Sequence, residues 1–106
     1  MDLFRYDAEQ AQTLPDSANT TYIPVRQNGR MTAMILKLDR KGDTGKREVP
    51  ADTLLTVVSG EGNVRSGGSV AELQAGDIVT LTGSIPYQIW TSSELVVVLM
   101  MPSNAG

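Results

Sequence analysis

The side chains that most often move protons and attack carbonyls at neutral pH are histidine and cysteine, and this chain of 106 residues has neither. A Ser-His-Asp triad, a Cys-His pair and a thiol nucleophile are therefore excluded. A zinc site of the usual Cys/His kind is excluded as well, and no disulfide can form. Hydroxyls, acids, nine Lys and Arg residues and three tyrosines remain. A tyrosine with its ordinary pKa of about 10 can donate a hydrogen bond or act as a general acid, but it is a poor base near neutrality. An arginine among apolar neighbours must be paired, and its planar fork suits a carboxylate or phosphate. Calcium or magnesium would need clustered acids. Here Asp39, Asp43, Glu48 and Asp52 are dispersed among Arg40, Lys41, Lys46 and Arg47. The expectation is no metal and no cofactor.

The nine basic residues face twelve acidic ones, for a net charge of −3, which argues against a nucleic-acid partner. All nine lie between Arg5 and Arg65, and after Ser66 the only charged side chains are Glu72, Asp77 and Glu94. No apolar run approaches the ~20 residues needed to span a bilayer. The longest, residues 95–101, suits a buried strand, so no membrane partner is expected. The first six residues carry Asp2 and Arg5 and lack the apolar stretch of a secretory signal, which makes the cytoplasm the expected location.

The elements that must position these groups read as short strands. Residues 1–19 are polar and irregular, with a possible helical turn over 7–13 capped by Asp7 and ended by Leu14-Pro15. Residues 20–26 form a strand that Pro24 restricts to an edge. Asn28-Gly29 is a turn, 31–38 a strand, and 39–46 a glycine- and charge-rich loop. Residues 47–49 are extended. The run 53–58 is apolar on both faces, so it is expected inside the structure, and Gly60-Glu61-Gly62 then makes a turn or bulge. Residues 63–65 and 70–73 form a hairpin around Ser66-Gly67-Gly68-Ser69, and 74–77 is a tight turn. Strands follow at 78–81, 87–91 and 94–101, with a polar tail at 103–106. Eight or nine short strands with turns every 8–12 residues are the mark of an all-β sandwich or barrel, here a single domain over 1–106. In such a barrel Thr53, Leu55 and Val57 share one face, and so do Tyr87, Ile89 and Thr91. If both faces point inward, they make either a mostly apolar pocket with a few polar groups or a filled core. Trp90 should face the other way, against the N-terminal strand or a second subunit.

These turns resemble the cupin superfamily of small barrels, whose two motifs are G-x5-H-x-H-x3,4-E-x6-G and G-x5-P-x-G-x2-H-x3-N. The stretch from Thr53 through Gly60 and Gly62 resembles the family's glutamate, apolar strand and Gly-x-Gly turn. Counting back, Arg47 and Val49 stand where the two histidines would be, followed by Pro50. In the second motif Gly76-Asp77 matches the turn, Thr82 and Ser84 replace proline and glycine, and Pro86 is in place. Tyr87 stands for the third histidine and Thr91 for the asparagine. The resemblance covers residues 31–102. It implies an all-β, double-stranded β-helix barrel (cupin or jelly-roll-like) in which every usual metal ligand has been replaced.

By that resemblance Arg47, Thr53 and Tyr87 are the candidate ligand-binding residues, holding a small polar or anionic metabolite. Arg47 can instead pair with Glu48, Asp52 or Glu94, or curl out to solvent. Two other functions stay open. One is a metal-independent isomerase or lyase acting on a small acid or sugar derivative, with Tyr87 as acid and Arg47 as clamp. The other is a non-catalytic structural or regulatory module with a filled barrel. The edge strand at 20–26 suggests a homodimer paired through it.

Overall fold

The computed structural model describes residues 1, 3–25 and 30–102. Eight strands follow one another: β1 (Gln12–Thr13), β2 (Ala18–Val25), β3 (Met31–Asp43), β4 (Thr53–Ser66), β5 (Ser69–Gln74), β6 (Ile78–Leu81), β7 (Tyr87–Trp90) and β8 (Leu95–Pro102). All the pairings between them are antiparallel. β3 pairs with β8, β8 with β4, β4 with β7, and β7 again with β3, so four strands close a barrel. β1 and β2 extend it beside β3, while β5 and β6 extend it beside β4. This is the all-β barrel expected of a double-stranded β-helix.

Two strands are much longer than their sequences suggest, for the same reason. β3 does not stop at residue 38 but runs through the glycine- and charge-rich stretch to Asp43. Opposite it, Thr20 pairs with Leu38 and Ala18 with Asp43, so Asp39–Gly42 bulge out against Asn19 alone. Similarly, Gly60-Glu61-Gly62 does not separate two strands. It is a corner within β4, which pairs with β8 and β6 before it and with β5 and β7 after it. The register slips between Val57 and Ser59. At Gly60 φ is +82°, and any Cβ there would run into the Glu94 carbonyl. A bulge that bends a strand lets it serve two sheets, and glycine supplies the backbone freedom.

The hairpin at 66–69 forms as expected, with Ser66 opposite Ser69 and positive φ at Gly67 and Gly68. The expected helical turn is a single one, in which the Asp7 carbonyl accepts from the N–H groups of Gln10 and Ala11 and the Asp7 carboxylate caps Glu9. Residues 12–13 then join the sheet as β1. The Asn28-Gly29 turn and the tail at 103–106 lie outside the described residues.

The interior is aliphatic. Leu36, Leu38, Leu55, Val57, Leu81, Ile89, Leu95, Val97 and Leu99 are each 2% exposed or less. The reading of residues 53–58 as apolar and buried on both faces is corrected. Thr53, Leu55 and Val57 are buried, but Leu54 and Val58 are exposed on the outer face. Leu14 belongs to the core cluster, so the irregular N-terminal segment contributes to it. Trp90 faces away from the core and lies under the Arg65 guanidinium, 5.3 Å from the ring centre.

Candidate functional site

Residues 44–49 are not a regular strand, yet they are stitched along their length to β7 and to the loop that leads into it. Thr44 N–H donates to the Ile89 carbonyl (2.9 Å) and Ser84 N–H to the Val49 carbonyl (2.8 Å). Between these, Arg47 and Tyr87 exchange both backbone hydrogen bonds, at 2.8 and 2.7 Å. Residues paired in this way project their side chains on the same side of the sheet. The resemblance's first and third histidine positions are therefore direct neighbours.

Tyr87 is buried and Ile89 beside it fully so, which places this face toward the core, as the alternation predicts. Burial pushes the Tyr87 phenol above its ordinary pKa, and the nearby Arg47 charge pulls the other way less strongly. The phenol is thus protonated at neutral pH, a donor and an acid rather than a base. Its hydroxyl makes no hydrogen bond within the described structure. Since every buried side-chain nitrogen and oxygen there is partnered, the phenol oxygen must reach solvent.

Arg47 is partly buried and held by two carbonyls. Its Nη1 donates to Pro15 (2.7 Å) and to Thr44 (2.9 Å). No carboxylate lies within ion-pair distance of it among the described residues, so the pairing with Glu48, Asp52 or Glu94 is not formed. Both Nη1 protons are committed, while the Nη2 and Nε protons have no acceptor among the described residues.

Pro15 is a partner that the sequence reading missed. Leu14 is 6% exposed. Its N–H donates to the Thr20 carbonyl (3.0 Å), and its own carbonyl accepts from the Ser17 hydroxyl (2.6 Å). The turn between β1 and β2 thus presses Leu14 into the core and delivers the Pro15 carbonyl to Arg47. The available signal was a lone leucine beside a proline in an otherwise polar segment.

Thr53 is buried at the start of β4, and its hydroxyl donates to the Ala51 carbonyl (2.9 Å). It shares no hydrogen bond with Arg47 or Tyr87. It lines a different feature, a cavity of about 500 Å³ with Leu54, Leu81, Met100 and Met101 on its walls. Two further hollows, of about 430 and 410 Å³, lie along Glu61, Glu72 and Asp77 and along Val70, Val79 and Ile85. Neither Arg47 nor Tyr87 lines any of the three. The structure thus brings two of the three candidate residues together and sets Thr53 apart.

The donor set where the fold family would hold a metal does not suit one. A guanidinium, the methyls of Val49, a threonine hydroxyl already donating and a protonated phenol offer no anionic or imidazole ligand. Elsewhere among the described residues, no three of His, Cys, Asp or Glu converge. Among the described residues, no helix is long and apolar enough to cross a membrane.

No family model matches the chain, and no curated protein matches it by sequence. Solved structures do. KdgF from Halomonas sp. superimposes with a TM-score of 0.80 at 17% identity, over 95% of this chain and 94% of that one. A cupin-2 domain protein from Rhodospirillum rubrum gives 0.78 at 14%, over 97% and 75% of the two chains. An RmlC-like cupin from Shewanella frigidimarina gives 0.77 at 16%, over 96% and 91%. The chain therefore has the cupin-superfamily fold, an RmlC-like β-barrel without a metal-coordinating cluster among its described residues.

Proposed function

We propose that this is a metal-free cupin-like protein of the cytoplasm that binds a small anionic metabolite at Arg47 and Tyr87. One observation carries the reading. Among the described residues, a partly buried guanidinium with no acid partner stands beside a phenol with no hydrogen-bond partner, and the unused donors of both suit an oxyanion. Thr53, the third candidate, stands apart from that pair: it lines a different cavity and its hydroxyl is already donated to the Ala51 carbonyl. Homodimerisation belongs to the same proposal.

A second reading, the non-catalytic module with a filled barrel, draws support from the aliphatic interior and from the fact that neither Arg47 nor Tyr87 lines any of the three cavities. Catalysis lacks comparable support, because no base with a hydrogen bond to Tyr87 is present among the described residues.

A thermal-shift screen of organic acids and phosphosugars separates the two readings. A ligand at a hundredfold excess over its Kd stabilises by ~2.7 kcal/mol. For a chain of this size that raises Tm by about 10 °C. The binding reading expects such a shift in the wild type and its loss in Arg47→Ala and Tyr87→Phe. A wild type that responds to no anion, or a shift that survives Arg47→Ala, refutes it.

A further inference from the structure

β5 and β6 follow one another through a tight turn, yet they do not pair with each other. Each pairs with β4 alone, β6 with the stretch before the Gly60 corner and β5 with the stretch after it. That corner sends the two stretches into different sheets, so β5 and β6 diverge from the 74–77 turn as the sides of a wedge. Side chains alternate along a strand, so Leu73, Ala71 and Ser69 share the face that looks into it. Leu73, at 3% exposure, fills the narrow end. Ala71 and Ser69 are small and leave the wide end hollow. This is the hollow of about 410 Å³, walled by Val64, Ala71, Val79 and Ile85, and no charged side chain lines it.

The outer edge of β5 carries backbone groups with nothing to bond. Ser66 and Ser69 flank the two-residue turn Gly67-Gly68, and a pair in that position exchanges both of its hydrogen bonds. Val64 with Ala71 and Gly62 with Leu73 then do the same, so Val70, Glu72 and Gln74 turn their N–H and C=O groups away from β4. Gln74 is served from within the chain. Its N–H donates to the Asp77 carboxylate (2.9 Å), and its carbonyl accepts from the Asp77 N–H (3.0 Å). Val70 and Glu72 have no such partner among the described residues. Two donors and two acceptors, spaced as on a strand, therefore stand open beside the apolar hollow.

We propose that an extended, basic segment of another protein docks in this wedge as an added strand antiparallel to β5. The register follows from the open groups. Two residues of the segment, two apart, exchange both bonds with Glu72 and with Val70. The residue between them lies opposite Ala71 and sends its side chain into the hollow, against Val64, Val79 and Ile85. Charge complementarity sets the residue opposite Glu72. Glu72 is exposed, and it shares the adjoining hollow of about 430 Å³ with Glu61 and Asp77. No Lys or Arg lines that hollow, and none pairs with these three carboxylates among the described residues. A cation fits there. Opposite the exposed Val70 a β-branched residue packs best. From N- to C-terminus the segment reads Lys or Arg, then a large apolar residue, then Val, Ile or Thr.

The wedge is a separate site from the proposed anion site, since neither Arg47 nor Tyr87 lines either hollow. An open strand edge invites indiscriminate pairing unless something guards it. Glu72 guards this one selectively, because it repels an acidic segment and admits a basic one.

Fluorescence polarisation of a labelled peptide, Ser-Thr-Lys-Leu-Val-Ser-Thr, added to the full chain tests the site. The wild type should bind it with a micromolar Kd, and Arg47→Ala should bind it equally well. Val70→Pro removes one of the open N–H groups. Proline is tolerated where an edge N–H faces solvent, so this variant should keep the wild-type far-ultraviolet circular dichroism and lose at least about tenfold in affinity. Replacing the peptide's lysine with glutamate should weaken binding about fivefold, and Glu72→Lys should reverse that preference. The proposal is overturned by a wild type that binds neither peptide at millimolar concentration. It is also overturned by an affinity that survives Val70→Pro in the folded variant, or by one indifferent to the charge at position 72. A wild type that binds no peptide but self-associates, and that Val70→Pro disperses, gives the edge to a second copy and overturns it as well.

Discussion

Replacing Leu14 with alanine tests whether the N-terminal turn is part of the core or a loose covering. Leu14 is 6% exposed and clusters with Leu38, Val49 and Tyr87. Truncating a buried leucine to alanine costs ~2–5 kcal/mol, with the smaller values where the surroundings can collapse into the space. A four-residue turn between two strands relaxes more easily than a barrel wall, so the expected loss is about 2–3 kcal/mol. For a domain of this size that lowers Tm by about 10 °C. Urea unfolding followed by tryptophan fluorescence measures it, since Trp90 is the only tryptophan. The same turn presents the Pro15 carbonyl to Arg47, so the two sites should be coupled. In the double-mutant cycle with Arg47→Ala, the combined loss should fall short of the sum of the single losses by ~0.5–1 kcal/mol. A loss below about 0.5 kcal/mol for Leu14→Ala would falsify the argument, because surface truncations cost no more than that.

Three other outcomes follow from the same geometry. Gly60→Ala should cost more than ~2 kcal/mol in urea unfolding, because its Cβ meets the Glu94 carbonyl at a φ of +82°; Gly68→Ala, at φ +91° with open space around it, should cost about 1 kcal/mol. Tyr87 should ionise above its ordinary value of 10.0 in a spectrophotometric titration, and higher still in Arg47→Ala, where the charge that lowers it is gone. A raised pKa means that the unfolded chain gives up this proton first, so the contribution of Tyr87 to stability is whole below pH 10 and fades as pH climbs through the folded value. Tyr87→Phe should remove that alkaline component, and an unchanged slope of stability against pH above 10 speaks against the buried phenol.

The turns were legible in the sequence because they are local demands. Gly67, Gly68 and Gly76 sit at φ of +58°, +91° and +96°, a region that glycine enters without strain, and each lies where a turn was expected. The lengths of β3 and β4 were not legible, because the residues that bend a strand around a barrel corner are those that end strands elsewhere. Asp39–Gly42 therefore looked like a loop, and Gly60–Gly62 like either a turn that ends a strand or a bulge that bends one. The outer apolar face was present in the sequence as Leu54, Thr56 and Val58, but alternation alone could not tell a strand buried on both sides from one whose outer side lies open. The family resemblance put Arg47 and Tyr87 in one candidate site, together with Thr53, and the backbone bridge that makes the first two neighbours is visible only in the structure. The Pro15 contact spans 32 residues and depends on how β1 turns into β2, for which no local pattern exists.

What holds Arg47 decides what it can still do. Had a carboxylate filled the role of Pro15 and Thr44, the guanidinium charge would be neutralised and an arriving anion would have to displace a formal charge. Two carbonyls orient the fork through Nη1 but bring only dipoles. The net positive charge therefore survives next to Tyr87, and it is felt there as a downward pull on the phenol's pKa. That pull fades if the side chain swings to bulk water, so the pH of Tyr87 ionisation also reports where Arg47 lies. An anion seated on the free Nη2 and Nε donors screens the same charge. Binding should therefore raise the Tyr87 pKa in the wild type and leave it unchanged in Arg47→Ala. A carboxylate or phosphate that raises Tm without moving this ionisation binds elsewhere on the protein.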